Sequence, residues 1–520
     1  MRVVDLLRDA ADQNPTGTAT IFRDRTRTWA QVHDRVGRAA SALRDAGVGV
    51  GDHVAVLGLN SDRYLEIHFA VPWAGAVLAP LNIRWAAPEN LFALNDFGAS
   101  VLMVDDAFLD QVADLQRGRP ELSTLIYIGE ERTAPEGMLH YEELLSRQTF
   151  ADVSDGNDDD PYVVFYTSGT TGQSKGVVLT HRNAVATARA FHETMDVNRD
   201  SVHLHVMGMF HVGGSQPIWY ITMTAGTHVV HAKYVPADVV DAIERHRITN
   251  TVLVPTMINT LLDEPGLADR DLRSLRTCVY GGSPMPKQIL DRALEALPTW
   301  GFHQIYGMTE CAGYGVALRW DDHMKALSGN PERLRAAGRA IPGTTVSVVD
   351  PDDNDVESGT VGQIVLRGDN VMAGYFGNPT ATAETLANGW LHTGDVGFMD
   401  TDGFVYVSDR VKDMIITGGE NVFSVDVERA LYTHPAVREC AVIGIPDPVW
   451  VEAVHAVVVL RPGRTVTAPD LIAHCRELIG GYKCPRSVEF IDGPLPTTPS
   501  GKIRKNVLRE PWWTGHDQAN

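Results

Sequence analysis

Segment 166–176, YTSGTTGQSKG, places three glycines, five Ser/Thr hydroxyls and one lysine in eleven residues. Glycines let successive backbone N–H groups wrap an anion, hydroxyls donate further hydrogen bonds, and Lys175 offsets negative charge. The chemistry this suggests is phosphate binding. A Walker loop, GxxxxGK[ST] opening straight into a helix, would need glycine at Ser174 and a metal-binding hydroxyl at Gly176. Neither is present, so this loop is of another kind. Taken alone, the segment also reads as a solvated loop of small polar residues.

The elements that must carry it follow from pattern. YVVFY (162–166) predicts a buried strand running into the loop, VVLTH a second strand leaving it, and a helix begins near Asn183. From residue 20 to about 300, helical periodicity alternates with short apolar runs: 30–46 before VAVLGL (54–59), then 237–246 before TVLVPT (251–256) and TCVYGG (277–282). That rhythm predicts βαβ units and parallel sheets. After about residue 338, GTTVSVVD, GQIVLRG and GFVYVSD predict antiparallel strands in a barrel or small sheet. Residues 425–520 predict a compact α+β unit with helices at 425–432 and 468–478. The boundary falls near Arg410–Lys412, and the acidic segment 155–161 is a solvated linker.

With 520 residues, more than one domain is required. A formal charge of −21 argues against a nucleic-acid or anionic-membrane partner, so a bound anion needs a local cationic pocket. Five dispersed cysteines without metal-like spacing suggest free thiols in a reducing compartment. The amphipathic, acid-bearing start is unlike a signal peptide, and the apolar run 69–81 is short with two prolines. The expectation is a soluble cytoplasmic protein with no integral membrane segment.

The loop is accompanied, in order, by MFHVGG (209–214), YGGSPMP (280–286), QIYGMTE (304–310), GRAIPG (338–343), GQIVLRGDNVMAGY (362–375), WLHTGDVG (390–397), DRVKDMIITGGEN (409–421) and PTTPSGKIRK (496–505). This ordered set covers nearly the whole chain. It resembles the adenylate-forming superfamily of acyl-CoA synthetases, aryl-CoA ligases, luciferases and peptide-synthetase adenylation domains, most like a fatty-acid or aryl-acid CoA ligase. The resemblance implies an α/β fold: a large N-terminal AMP-binding domain, residues 1–410, with two βα-type sheet subdomains and a small β-barrel, then a mobile α+β lid domain over 411–520. It also implies an AMP-forming acid–thiol ligase that uses ATP, Mg²⁺ and CoA. A homodimer is a further implication.

Residue by residue, the resemblance assigns Thr167, Ser168, Gly169, Thr170, Thr171 and Lys175 to the triphosphate. Ser283, Pro284, Gln304, Tyr306 and Gly307 go to the adenine side, with Tyr306 stacking on the base. Thr309 contacts the α-phosphate, and Glu310 with Thr167 serves Mg²⁺, a hard cation that takes few protein ligands. Asp395 accepts the ribose hydroxyls, assisted by Arg410; an acceptor-only carboxylate suits a diol. Lys502 reaches the carboxylate and AMP oxygens in adenylation, Lys412 is the hinge, and His211 lies between acyl and nucleotide sites. His211, Thr309, Glu310 and Lys502 form the catalytic set. Without that context, Thr309–Glu310 is a helix cap, Asp395 a turn residue and Lys502 a surface lysine.

Attack by a carboxylate on the α-phosphorus gathers charge that cations and oriented N–H groups must neutralise. Segment 201–230 contains no acid, so a substrate ammonium there would lack a counter-charge. The expected substrate is an unaminated carboxylic acid, its apolar tail lined by His211, Trp219, Gly281, Gly282 and Met308. Gly418, Gly419 and Trp450 are implied as CoA contacts. Val451 and Ser424 stand where relatives commonly have glycine and proline, and the alternative is adenylation with another acceptor: a carrier-protein thiol, an amine, nitrite or oxygen. A phosphohydrolase releasing ADP and a non-catalytic nucleotide binder are the readings from other classes.

Overall fold

A computed structural model describes residues 1–131, 133–167, 174–283, 285–410, 413–417, 420–497 and 503–514, without the side chains of residues 409, 410, 420 and 421. Its architecture is mixed α/β, as expected. Two sheets dominate the first 400 residues. One has the order Gly374–Tyr375, Lys175–Thr180, Pro161–Thr167, Val77–Pro80, His53–Leu57, Val101–Val104, Thr124–Tyr127 and Leu139–His140. The other runs from Arg339–Ala340 through Val316–Leu318, Gly301–Tyr306, Thr277–Gly281, Asn250–Leu253, Val202–His205 and Thr227–Val230 to Thr18–Phe22 and Arg25–Thr28. Their central strands are parallel and buried along their length, which is why they read as unbroken apolar runs such as VLMV at 101–104.

Helices cover both sheets and start where side chains cap them. Thr28 and Gln31 exchange backbone and side-chain hydrogen bonds at 3.3 and 2.9 Å ahead of Trp29–Asp45. Thr180 and Asn183 do the same at 3.2 and 2.8 Å, so the helix after the phosphate loop begins at His181, two residues before its expected start. The apolar run 69–81 divides between the buried helix Asp62–Trp73 and the strand Val77–Pro80. Within that helix Asp62 and Glu66 are fully buried, and Arg25, Arg27 and Arg35 compensate them. Among the described residues no helix is long and apolar enough to cross a membrane.

The region expected as a barrel or small sheet is a four-stranded antiparallel sheet, Thr344–Val349, Gly362–Gly368, Leu391–Met399 and Val405–Arg410 in that order. Its inner face packs through Val346, Ile364, Leu366, Leu391 and Val405 against Cys311 and Val316, so the neighbouring sheet closes its core and ring closure is unnecessary. The last hundred residues form the expected α+β unit. A long antiparallel pair, Val437–Asp447 with Val451–Leu460, is flanked by helices Ser424–Tyr432, Ala468–Leu478 and Lys505–Trp513. Lys505 anchors its helix to the unit through Glu428 at 2.8 Å.

Candidate active site

Strands Pro161–Thr167 and Lys175–Thr180 are antiparallel, and Thr167 pairs with Lys175 at their open end. The phosphate loop therefore joins a hairpin, a different context from the strand–helix junction of a Walker loop. Thr167 Oγ1 donates to the Lys175 carbonyl at 3.4 Å. The Lys175 ammonium lies 4.8 Å from the centre of the Tyr375 ring, in cation–π range. Ser168, Gly169, Thr170 and Thr171 lie outside the described residues.

On the second sheet, Gly301–Tyr306 ends at the same place. Tyr306 donates its hydroxyl to Asp395 Oδ2 at 2.7 Å, and burial together with Asp395 holds its phenol well above the ordinary range. Gly307 must be glycine: a Cβ there would meet backbone of Gly313 and Tyr314 at 2.7 Å. The chain then turns through Thr309–Cys311 and presents Glu310, only 7% exposed. The Glu310 carboxylate accepts from Tyr375 Oη at 2.7 Å, and its carbonyl accepts from Met372 N at 2.8 Å. Gln304 Oε1 accepts from Tyr280 Oη at 3.2 Å, which steadies the wall before Ser283. Pro284 lies outside the described residues.

Asp395, 8% exposed, sits on Leu391–Met399 opposite Arg410 in register. Its backbone N–H donates to Thr393 Oγ1 at 3.0 Å. The side chain of Arg410 lies outside the described residues. His211 caps the helix Val212–Met223, and burial, with Arg84 nearby, pushes its imidazole down to about 4. Its Nε2 is buried without a hydrogen-bond partner among the described residues. Gly214, one turn on, leaves no room for a Cβ, which would fall 2.1 Å from the Gly208 carbonyl oxygen. Hence the second glycine in MFHVGG.

Four of the expected pocket residues have these surroundings. Trp219 is fully buried in the core, its indole N–H on Tyr162 Oη at 3.1 Å and its ring edge-on to Tyr162. At Gly281 a Cβ would strike the Ile305 carbonyl at 2.6 Å, so glycine there lets two strands approach. Gly282 is exposed at φ +79°, a turn residue, and Met308 packs on the small sheet's core.

The acceptor side is built differently. Trp450 is 41% exposed beneath the Arg486 guanidinium, 4.5 Å from the ring centre. Val451 pairs with Thr417, directly before Gly418 and Gly419, and adopts φ +70° while 55% exposed. Gly418, Gly419, Lys412 and Lys502 lie outside the described residues; Thr497 and Ile503 pair on either side of segment 498–502. Ser424 and Glu428 both engage Lys505. Sequence reasoning quoted Tyr375 inside a motif but gave it no task. The available signal was a single tyrosine in a glycine-punctuated turn (AGYFG), where neither helix nor strand periodicity asks for an aromatic.

Comparison with known proteins adds three findings. Residues 7–376 match the AMP-binding enzyme family and residues 426–502 the AMP-binding enzyme C-terminal domain. A feruloyl-CoA synthase from Amycolatopsis sp. is 40% identical over 500 residues, 96% of each chain, and a fatty acid–[acyl-carrier-protein] ligase from Streptomyces coeruleorubidus is 38% identical over 97% of this chain and 95% of its own. The o-succinylbenzoate CoA synthetase of Bacillus subtilis, solved with its acyl-adenylate intermediate, superimposes with a TM-score of 0.84 at 30% identity, covering 97% of both chains.

Proposed function

We propose, from the premise that this chain belongs to the AMP-binding enzymes of the adenylate-forming superfamily, that it is an AMP-forming acyl-CoA synthetase. It activates an unaminated carboxylic acid with ATP to an acyl-adenylate, releasing pyrophosphate, and then transfers the acyl group to CoA, releasing AMP. The observation that carries this reading is the meeting of Lys175, on a strand of one sheet, and Glu310, in the turn after a strand of the other, on the one side chain of Tyr375. A cation for phosphates and a carboxylate for a metal are thereby held side by side.

The roles follow from the chemistry of each group. Lys175 and the loop's N–H groups neutralise the triphosphate, Thr309 contacts the α-phosphate, and Asp395 with Arg410 takes the ribose diol. The Tyr306 ring forms the adenine wall, fixed by its bond to Asp395. Neutral His211 adds no positive charge beside the acid, so it orients the carboxylate or gates its approach. Lys502, on the C-terminal domain, stabilises the charge developing at phosphorus. Residues 1–410 and 411–520 are the two moving parts, and Lys412 is their hinge.

Glu310, with Thr167, fits Mg²⁺, whose chemistry when bound is to neutralise and align the phosphates. An ion of this kind takes few protein ligands and fills the rest of its shell with waters and substrate oxygens. Trp450 and Gly418–Gly419 form the CoA side. All five cysteines are unpaired and buried, which supports the cytoplasm as the compartment.

The test is product analysis of the purified chain across aryl, fatty and short hydroxy acids, each with and without CoA. Acid-dependent AMP and pyrophosphate, with a thioester only when CoA is added, is the expected result. ADP as product, or AMP independent of any acid, would refute the reading.

A further inference from the structure

Segment 369–376 crosses from the small sheet to the edge of the phosphate-loop hairpin and is bound at both ends. Asn183 Nδ2 donates to the carbonyls of Asp369 and Val371 at 2.8 and 2.7 Å. Asn370 Nδ2 donates to the Tyr314 carbonyl at 2.7 Å, and Met372 N to that of Glu310 at 2.8 Å. Gly374 and Tyr375 then pair antiparallel with Val178 and Val177, and Phe376 N reaches the Gly176 carbonyl at 2.7 Å. One short strap thus ties the turn carrying Glu310 to the strand that begins at Lys175.

We propose that Tyr375 is the positioning residue for ATP activation, its hydroxyl fixing the Glu310 carboxylate and its ring face holding the Lys175 ammonium. The proposal rests on the function stated above. A carboxylate with one oxygen on a buried hydroxyl loses its freedom to rotate, so a metal ion meets it already oriented. A lysine on an aromatic face keeps its charge while losing much of its rotamer freedom. Both effects lower the ordering cost when nucleotide and metal arrive together. Close packing on all sides does not fix the ring: Tyr375 and Gly374 border a cavity of about 690 Å³, shared with His53, Pro72 and His181. The hydroxyl bond fixes what packing leaves open.

The strap's backbone ladder is independent of the hydroxyl, so Tyr375→Phe keeps the fold and the ring while removing only the donor. ATP binding by the full chain is measured by calorimetry with and without Mg²⁺, in the absence of any acid, alongside pyrophosphate release. In Tyr375→Phe, ATP affinity without metal is unchanged, and the Mg²⁺-dependent gain in affinity falls roughly 10-fold, as expected for a hydrogen bond to a charged group. The Mg²⁺ needed for half-maximal pyrophosphate release rises by a similar factor, while the KM for the acid holds. Tyr375→Leu additionally weakens metal-free ATP binding by about 3-fold, the loss of the cation–π contact. Because Tyr375 acts through Glu310, adding Tyr375→Phe to Glu310→Gln costs nothing further in the metal-dependent gain.

An unchanged Mg²⁺ response in Tyr375→Phe, an equal loss with and without metal, or a full additional penalty in the double variant would overturn the assignment. Failure of the underlying function looks different: wild-type protein would then show no Mg²⁺-dependent ATP binding and no AMP.

Discussion

The nucleotide side and the acceptor side of this molecule are built on opposite principles. Tyr306 with Asp395 and Tyr375 with Glu310 are two hydrogen-bonded side-chain pairs, with Glu310 and Asp395 almost fully buried. Val449, Trp450 and Val451 crown a turn with their apolar surface exposed, and Val451 holds a left-handed conformation that a β-branched residue adopts only at a cost. No burial explains that conformation, since more than half of the side chain faces solvent. Hydrogen-bonded, buried pairs hold the first region, whereas the turn at 449–451 keeps exposed surface and local strain, as the proposed order of adenylation before acyl transfer would use them.

The strongest way to break this contrast is Lys502→Ala. Removing a cation from the phosphorus should lower acyl-adenylate formation by roughly 10²–10³. Thioester formation from supplied adenylate should be nearly intact, and rapid-quench assay of each half-reaction separates the two. Tyr306→Phe comes next: it deprives buried Asp395 of a partner worth about 1.5–3 kcal/mol, so the KM for ATP should rise about 10-fold or more without a change in the CoA step.

Acid tests the same contrast through stability. Burial pushes His68 and His203 down to about 3 and His205 and His228 well below the ordinary value, all in or against the nine-stranded sheet. Their folded values lie below the unfolded one near 6.5, so their stabilisation is complete above that pH and is lost as pH falls toward the folded values. Melting followed by hydrogen exchange between pH 7.5 and 5 should show the nine-stranded sheet that carries His203, His205 and His228 weakening first. The smallest effect expected is for Val451→Gly. Relief of left-handed strain should stabilise the C-terminal unit by about 1 kcal/mol in a denaturant titration. Adenylation should stay constant while the CoA step changes; a destabilised variant would remove strain from the account.

Much of the site was legible in the sequence because its motifs are contiguous and their glycines have local causes. The helix Ala468–Leu478 and the strands around the phosphate loop fall where periodicity places them. What pattern leaves open has a common origin. Trp219 and Gly281 carry residue types that suit a pocket, yet what each touches is set by Tyr162 and Ile305, which lie elsewhere in the sequence. The antiparallel strands of the small sheet were correctly placed, but ring closure depends on how neighbouring sheets pack.

The order of motifs, their residue types and their turn chemistry determined family and fold class, because those properties are written in neighbouring residues. Only the tertiary structure decided that Tyr375 joins Lys175 to Glu310, that Tyr306 rests on Asp395, and that Val451 is strained. Periodicity reports whether a side chain is buried. It carries no information on which distant side chain it meets, and here those meetings decide which groups are held ready.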